Sequence, residues 1–321
     1  MHRALTPWML LLSLLLPIAG HAQAPPAEPD VRVVLLGTAG GPVVRPDRVG
    51  IGTLVLAGDQ VLLFDVGRGV PTALRAMPED PGIVTATFLT HLHSDHLVGL
   101  PELYLFPWAS QGRRTPFRIL GPAGTRAMMA HLQAAFAFDI HVRRDIDEHF
   151  PGEGIAVDAT DIQPGVVYDT NGVKVTAFLV DHAPVEPAYG FRVDYRGRSV
   201  VLSGDTRPSP NLAAFAKGAD LLIHEVGRWK GDPALAGDPA APMPNALTRG
   251  QMRGIAEHHT DPVEAGVIFA EARPKLAVFS HYARAGDDLL PLVRRHYPGR
   301  VEVGRDGMVI EIGEQVRIRA D

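Results

Sequence analysis

The sequence predicts an α/β protein whose short buried strands carry polar side chains at their carboxyl ends. Two observations indicate this fold class. Apolar runs such as residues 83–89 and 276–279 alternate with segments of helical periodicity such as residues 125–136, whereas residues 139–161 are charged and predict irregular structure. The apolar runs are also followed repeatedly by His or Asp, and binding sites of α/β proteins collect at one edge of the sheet.

Two predicted β-hairpins resemble one another. The first covers residues 52–64 and is followed by Asp65, and the second covers residues 189–202 and is followed three positions later by Asp205. Each consists of an apolar strand, a Gly-centred turn and a second apolar strand. The repetition predicts two similar halves, divided near residue 165, that fold face to face as one domain.

The densest group of polar side chains after a strand is the segment 90–96, which reads Thr-His-Leu-His-Ser-Asp-His. Imidazole nitrogens and carboxylate oxygens are ligands that zinc prefers. The i, i+2 spacing lets His91 and His93 reach one ion from a loop, while Asp95 and His96 on the following turn can face a second ion. A lone His more often has a structural role, but four such residues at this spacing predict a metal site.

Four further apolar runs end in side chains of the same type. These side chains are His182, Asp205, the pair His224-Glu225, and His281. Because strand ends meet at one edge of a sheet, we expect these residues to join the segment 90–96 in a single site.

The first residues form a predicted secretory signal peptide, residues 1–24. Arg3 provides a positive start, residues 8–18 are apolar, and small residues stand near a cleavage site. The apolar run is too short to span a bilayer comfortably. We therefore expect a periplasmic or secreted protein with no membrane association after cleavage, whose mature domain covers residues 25–321.

Composition restricts the chemistry further. The 321 residues include no cysteine, which excludes disulfides and thiolate metal ligands. The formal net charge is −5, whereas phosphate binding needs a clustered basic surface. The expectation from charge is that the protein has no nucleic-acid partner.

The order and type of these residues resemble the metallo-β-lactamase superfamily, and the resemblance covers nearly all of the predicted mature chain. The chain looks most like the branch that contains ribonuclease Z and the zinc arylsulfatases. The segments that carry this closer likeness are Leu36-Gly37-Thr38, Asp65-Val66-Gly67, Gly99-Leu100-Pro101, His224-Glu225 and His258-His259-Thr260. The resemblance implies a four-layer αββα sandwich with two divalent metal ions, expected to be zinc.

The same resemblance implies a set of ligands for each ion. One ion would be held by His91, His93 and His182. The other would be held by Asp95, His96 and His281, with Asp205 bridging the two ions.

The implied activity is that of a binuclear metal-dependent hydrolase. Two neighbouring cations can share a hydroxide whose pKa falls toward ~7, and this hydroxide would attack a small ester such as an aryl sulfate or a phosphodiester. Asp95 is expected to be needed for turnover. In the ribonuclease Z branch a Glu orients a His that protonates the leaving group, and the matching positions here are Glu225 and His258.

Departures from ribonuclease Z favour a small-molecule ester over tRNA as the substrate. Ribonuclease Z enzymes of the bacterial short form carry a long tRNA-gripping arm between the positions of His182 and Asp205. Here only residues 183–204 separate them, and the second hairpin occupies that stretch. Relatives of this kind dimerise, so a homodimer is a further possibility.

Several alternatives remain open at this point. Zinc β-lactamases usually lack the bridging Asp and often use a Cys ligand, and diiron relatives usually have a Glu at the position of His93, which disfavours both activities. Lactone or thioester hydrolysis shares the ligand set. A metal-binding protein without catalysis is the alternative from another class.

The segment around Trp229 joins Glu225 to His258 and is expected to pass near the mouth of the site. One hypothesis is that Trp229, Phe106 and Trp108 form an apolar wall, with Arg228 or Lys230 meeting an anionic group of the substrate. The alternative is a solvated loop with a buried Trp.

Overall fold

A computed structural model describes residues 28–232, 248–282 and 289–320. The predicted signal peptide lies outside the described residues. Among the residues that the structure describes, no helix combines the length and the apolar character needed to cross a membrane.

The described strands form two mixed sheets. In spatial order the eight-stranded sheet is β15-β14-β1-β2-β3-β4-β5-β6 and the seven-stranded sheet is β13-β12-β11-β10-β9-β8-β7. The strands are β1 Val31–Gly37, β2 Gly52–Ala57, β3 Gln60–Phe64, β4 Ala86–Phe88, β5 Phe117–Gly121, β6 Val157–Asp161, β7 Gly165–Thr170, β8 Val173–Val180, β9 Ala188–Tyr195, β10 Arg198–Leu202, β11 Leu221–Val226, β12 Leu276–Tyr282, β13 Val301–Val303, β14 Met308–Ile312 and β15 Val316–Ile318.

Helices cover the outer face of each sheet. They are α1 Val70–Arg75, α2 Leu100–Ser110, α3 Thr125–Ala135, α4 Ala137–His141, α5 Gly152–Ile155, α6 Pro210–Phe215, α7 Arg249–Glu257, α8 Pro262–Ala272 and α9 Leu289–Val293. One buried cluster joins the eight-stranded sheet to α1–α5, and a second joins the seven-stranded sheet to α6, α8 and α9. The predicted four-layer αββα sandwich is confirmed.

The space between the two sheets is filled by a third apolar cluster, to which both sheets contribute. The rings of Phe64 and Phe88 stack with centroids 4.9 Å apart, and Phe191 packs against both. Burying a phenylalanine side chain stabilises a fold by roughly 1.5–3 kcal/mol. This packing fixes the ends of β3 and β4, from which Asp65 and His91 continue into the site.

The two sheets share one pattern of connections, which explains the resemblance between the predicted hairpins. β2 and β3 are antiparallel and are followed by the parallel strands β4, β5 and β6. β9 and β10 are antiparallel and are followed by the parallel strands β11, β12 and β13. The predicted division near residue 165 needs one correction, because β14 pairs with β1 and so returns the end of the chain to the first sheet.

The prediction of irregular structure for residues 139–161 is wrong. The stretch contains the end of α4, a turn of π-helix at Val142–Ile146, α5 and the edge strand β6. β6 has parallel pairing with β5 on one side only, and most of its side chains face solvent. An edge strand of this kind has no apolar run to reveal it.

Candidate metal centre and active site

The predicted ligands come together at one edge of the sandwich. His91 and His93 follow β4, and a short 3₁₀ turn at Ser94–His96 places the next two ligands. The other ligands follow β8 and β10 or end β12, as the strand-end pattern predicted; they are His182, Asp205 and His281. The backbone of His281 is left-handed, with φ of 48°, a strained conformation of the kind found at functional sites.

Three imidazoles form a first cluster. His93 Nδ1 lies 2.9 Å from His91 Nε2 and 3.3 Å from His182 Nε2. Zinc ligands at 2.0–2.1 Å in a tetrahedral site stand about 3.3 Å from one another. These three nitrogens are therefore spaced as ligands of one ion would be, and His93 is the most solvent-exposed of the three.

A second cluster lies beside the first. His281 Nε2 lies 3.2 Å from His96 Nε2 and 3.3 Å from Asp95 Oδ2. The buried carboxylate of Asp205 lies between the clusters, with Oδ2 3.4 Å from His96 Nε2 and 3.8 Å from His91 Nε2. Asp205 is thus placed to contact ions held by both clusters.

The far nitrogens of three ligand rings are held by neighbours. His96 Nδ1 lies 2.8 Å from Asp65 Oδ2, and His91 Nδ1 lies 3.0 Å from the hydroxyl of Thr90. His182 Nδ1 lies 3.0 Å from the carbonyl oxygen of His258, to which it donates. Such contacts fix the ring orientation and leave Nε2 available to a metal. Asp65 is not among the predicted site residues, although it directly follows the first predicted hairpin.

The predicted pair of Glu225 with His258 is wrong, because the imidazole that meets Glu225 is that of His259. His259 Nδ1 lies 3.1 Å from Glu225 Oε2, and Glu225 Oε1 accepts from the backbone nitrogen of Thr260 at 2.9 Å. His258 instead forms the end of α7 and contributes its carbonyl to His182. Burial would lower the pKa of His259, but the charge of Glu225, its hydrogen bond to the ring and the charge of Asp205 together outweigh burial and raise that pKa to about 9.

A signal for His259 is present in the sequence. Asp261 caps α8 by accepting from the backbone nitrogens of Val263 and Glu264, and the Glu264 side chain accepts from the Asp261 nitrogen. This capping box, with Pro262 at the first helical position, fixes where α8 begins. A turn at His258 and a bend at His259 connect α7 to this cap, so His259 lies two positions before it.

The comparison with protein families shows which family carries this group of side chains. The model of the β-lactamase superfamily domain matches residues 62–282, which include every predicted metal ligand. The chain belongs to the metallo-β-lactamase superfamily. Within the superfamily it falls in the ribonuclease Z-like branch, since the ribonuclease Z of Mycobacterium avium is 36% identical over 285 residues, or 86% of this chain and 96% of the relative. The ribonuclease Z of Mycolicibacterium paratuberculosis is 37% identical over the same shares.

Solved structures confirm the fold of this metallo-β-lactamase superfamily member. Human short-form tRNase Z has a TM-score of 0.63 at 24% identity, covering 88% of this chain and 99% of its own. The metallo-β-lactamase fold protein YhfI from Bacillus subtilis has a TM-score of 0.63 at 21% identity, covering 87% of this chain and 98% of its own. The match to the β-lactamase superfamily domain, the ribonuclease Z relatives and the clustered His and Asp side chains identify this superfamily member as a metal-dependent hydrolase.

The donor set fits divalent cations of the kind that this superfamily binds. Burial opposes charge on Asp205, yet neighbouring His281 and His96 hold the pKa of its carboxyl well below the usual range. The pKa of Asp95 is also lowered, because its hydrogen bond to His281 and the charges of His96 and His281 together outweigh burial. Ionised carboxylates buried among imidazoles call for compensating positive charge, which bound cations supply.

The predicted absence of a nucleic-acid partner is wrong, because the relatives that match this superfamily member over nearly their full length are ribonucleases Z. Neither the net charge nor the missing arm excludes a nucleic acid. Net charge averages over the whole chain and says nothing of the potential at the site, which bound cations raise. The stretch between His182 and Asp205 is too short to include the tRNA-gripping arm. That arm lies outside the catalytic centre, so its absence leaves the centre itself intact.

The apolar wall expected near residue 229 is not formed as predicted. Trp108 is 1% exposed, and its ring nitrogen donates to the carbonyl of Pro151. Arg228 pairs with Asp232, and Lys230 pairs with Glu264, in both cases through carboxylates of the same chain. Trp229 lies under the guanidinium of Arg295, 5.6 Å from ring centroid to Cζ.

Proposed function

We propose that this protein is a two-metal phosphodiester hydrolase and that RNA phosphodiesters belong to its substrate class. The observation that carries the proposal is the position of Asp205 between two sets of ligands, beside the ion pair of His259 and Glu225. The ribonuclease Z names of relatives at 36% and 37% identity support RNA as a substrate.

The proposed ion sites follow the two clusters. His91, His93 and His182 would hold one zinc ion. Asp95, His96 and His281 would hold the other, and Asp205 would contact both. When bound, the ions supply a nucleophilic water at neutral pH and neutralise charge on the phosphoryl oxygens.

His259 is the proposed general acid. A phosphodiester is cleaved when water oxygen bonds to phosphorus and the bond from phosphorus to the leaving oxygen breaks, and that oxygen then needs a proton. The Glu225 carboxylate holds Nδ1 of His259 and favours the charged imidazolium. Donation from the other ring nitrogen supplies the proton, a contribution worth about 10²–10⁴-fold in rate.

Small aryl phosphodiesters are a second class of substrate within the same proposal. The residues between His182 and Asp205 form only a loop and the compact hairpin β9–β10. A site without a protruding arm at this position is open to small diesters as well as to RNA.

A substrate panel tests the proposal. Zinc-loaded and zinc-free protein would be assayed with bis-p-nitrophenyl phosphate, a 3′-extended precursor tRNA, p-nitrophenyl sulfate, a homoserine lactone and a thioester. The expected result is metal-dependent cleavage of the phosphodiesters. Cleavage confined to the sulfate, the lactone or the thioester would replace phosphodiesters as the substrate class. Silence across the panel at full zinc occupancy would favour a metal-binding protein without catalysis.

The cellular location of the protein is a separate proposal. Residues 1–24 have the features of a signal peptide, so we propose that the mature protein is periplasmic or secreted. Fractionation of cells that express the full chain tests this, and a cytoplasmic protein that retains residues 1–24 would contradict it.

A further inference from the structure

Arg207 joins three segments of the chain that carry the chemistry of the site. Its Nη1 donates to Asp181 Oδ1 at 2.9 Å and its Nη2 to the carbonyl of Ala183 at 3.0 Å. Its Nε donates to the carbonyl of Glu257 at 2.8 Å. Arg207 follows Asp205 by two positions in the sequence. Its hydrogen bonds therefore link the loops after β8 and β10 to the end of α7.

The hydrogen bond to the carbonyl of Glu257 provides a donor at the carboxyl end of α7. The last carbonyls of a helix lack intrahelical partners and carry partial negative charge, so a cation there is favourable. Arg207 satisfies the carbonyl of Glu257, and His182 donates to the next carbonyl, that of His258, at 3.0 Å. Two consecutive carbonyls at the helix end are therefore tied to the loops that carry metal ligands.

These hydrogen bonds fix the position of the backbone at His259. On one side, the backbone is held through Glu257 by Arg207. On the other side, Thr260 donates its backbone nitrogen to Glu225 at 2.9 Å and its hydroxyl to the carbonyl of Thr206 at 2.7 Å. His259 lies between the two anchors with its Nδ1 on Glu225.

We propose that Arg207 is a positioning residue that holds His259 where it can protonate the leaving oxygen. This inference rests on the proposed general-acid role of His259. An exposed ion pair such as that of Arg207 with Asp181 stabilises a fold little, so the value of Arg207 lies in the geometry it fixes.

The dependence of rate on the leaving group tests the proposal. Bis-p-nitrophenyl phosphate releases a stable phenolate that needs little protonation, whereas diphenyl phosphate, the same diester without the nitro groups, releases a basic phenolate that needs the acid. We expect Arg207→Met to lower kcat for diphenyl phosphate by about tenfold, a part of the acid's full contribution, and to change kcat for the nitrophenyl diester little. KM and zinc content should stay near those of the unaltered protein, and Arg207→Lys should restore part of the lost rate.

Two comparisons make the outcome decisive. Arg192→Met removes a guanidinium of similar exposure that also bonds a carboxylate and a carbonyl, those of Asp194 and Phe215, and it should leave both rates unchanged. His259→Ala should show the same selective loss as Arg207→Met, only larger. If His259→Ala is selective and Arg207→Met lowers both rates alike or neither, the positioning role is overturned. If His259→Ala itself lacks selectivity, the general-acid role fails instead.

Discussion

His96 Nδ1 lies 2.8 Å from Asp65 Oδ2, and both side chains are buried. Asp65 also accepts from the backbone nitrogen and the hydroxyl of Thr90, so its carboxylate is fixed before it meets the imidazole. This contact turns His96 Nε2 toward His281 and the second cluster.

The first prediction follows from this contact. Asp65→Ala should weaken zinc binding by about 10–100-fold, because the His96 ring loses the partner that sets its tautomer and orientation. Competition with a zinc-binding dye measures the affinity. Asp59→Ala, which removes a carboxylate from the β2–β3 turn, serves as the control and should bind zinc normally. Equal affinities for the two variants would contradict the role given to Asp65.

The second prediction separates two adjacent histidines. His259→Ala should lower kcat for diphenyl phosphate by about 100-fold or more, because the leaving oxygen loses its proton donor. His258→Ala should have a much smaller effect, because His258 acts through its backbone carbonyl, which the substitution retains. Steady-state kinetics of both variants checks this, and the reverse ranking would restore the pairing expected from the sequence.

The third prediction concerns pH. A general acid must be protonated, so activity should be lost as the pH rises through the pKa of His259, which Glu225 raises to about 9. Glu225→Gln removes the charge that favours the imidazolium, so this alkaline limb should move to lower pH. The measurement is kcat/KM of diphenyl phosphate against pH for both proteins. Coincident limbs would show that another group sets the profile.

The fourth prediction concerns stability without metal. A ligand that binds only the folded state stabilises it by about 4 kcal/mol at a free concentration 1,000 times its Kd. Zinc at that excess should therefore raise the Tm, and a chelator should abolish the rise. Asp205→Ala should show a smaller zinc-dependent rise in thermal unfolding measurements. An identical rise in both proteins would mean that zinc binds elsewhere.

Much of the site could be predicted from the sequence because each ligand stands next to an apolar strand. His182 and Asp205 follow β8 and β10, and His281 lies in β12, so the rule that strand ends converge was enough to group them. The four-layer αββα sandwich could be predicted from the resemblance to the metallo-β-lactamase superfamily and from the two similar hairpins.

The remainder depends on contacts that no local pattern encodes. Whether His258 or His259 faces Glu225 depends on where α7 ends and α8 begins, a matter of one residue. Asp65 meets His96 across 31 positions of sequence, and only the packing of β3 against β4 brings them together. The exclusion of nucleic acid failed because an average charge was used in place of a local one.

If two metal sites joined by Asp205 hydrolyse phosphodiesters, both zinc binding and turnover depend on this carboxylate, and Asp205→Ala removes it. Zinc content and turnover of bis-p-nitrophenyl phosphate and of a 3′-extended precursor tRNA would be measured together, with Asp169→Ala, an exposed carboxylate on β7, as the matched control. We expect Asp205→Ala to lose bound zinc and at least about 100-fold in turnover, while the control keeps both. Full turnover by Asp205→Ala would show that phosphodiester hydrolysis does not depend on a carboxylate shared by two metal sites.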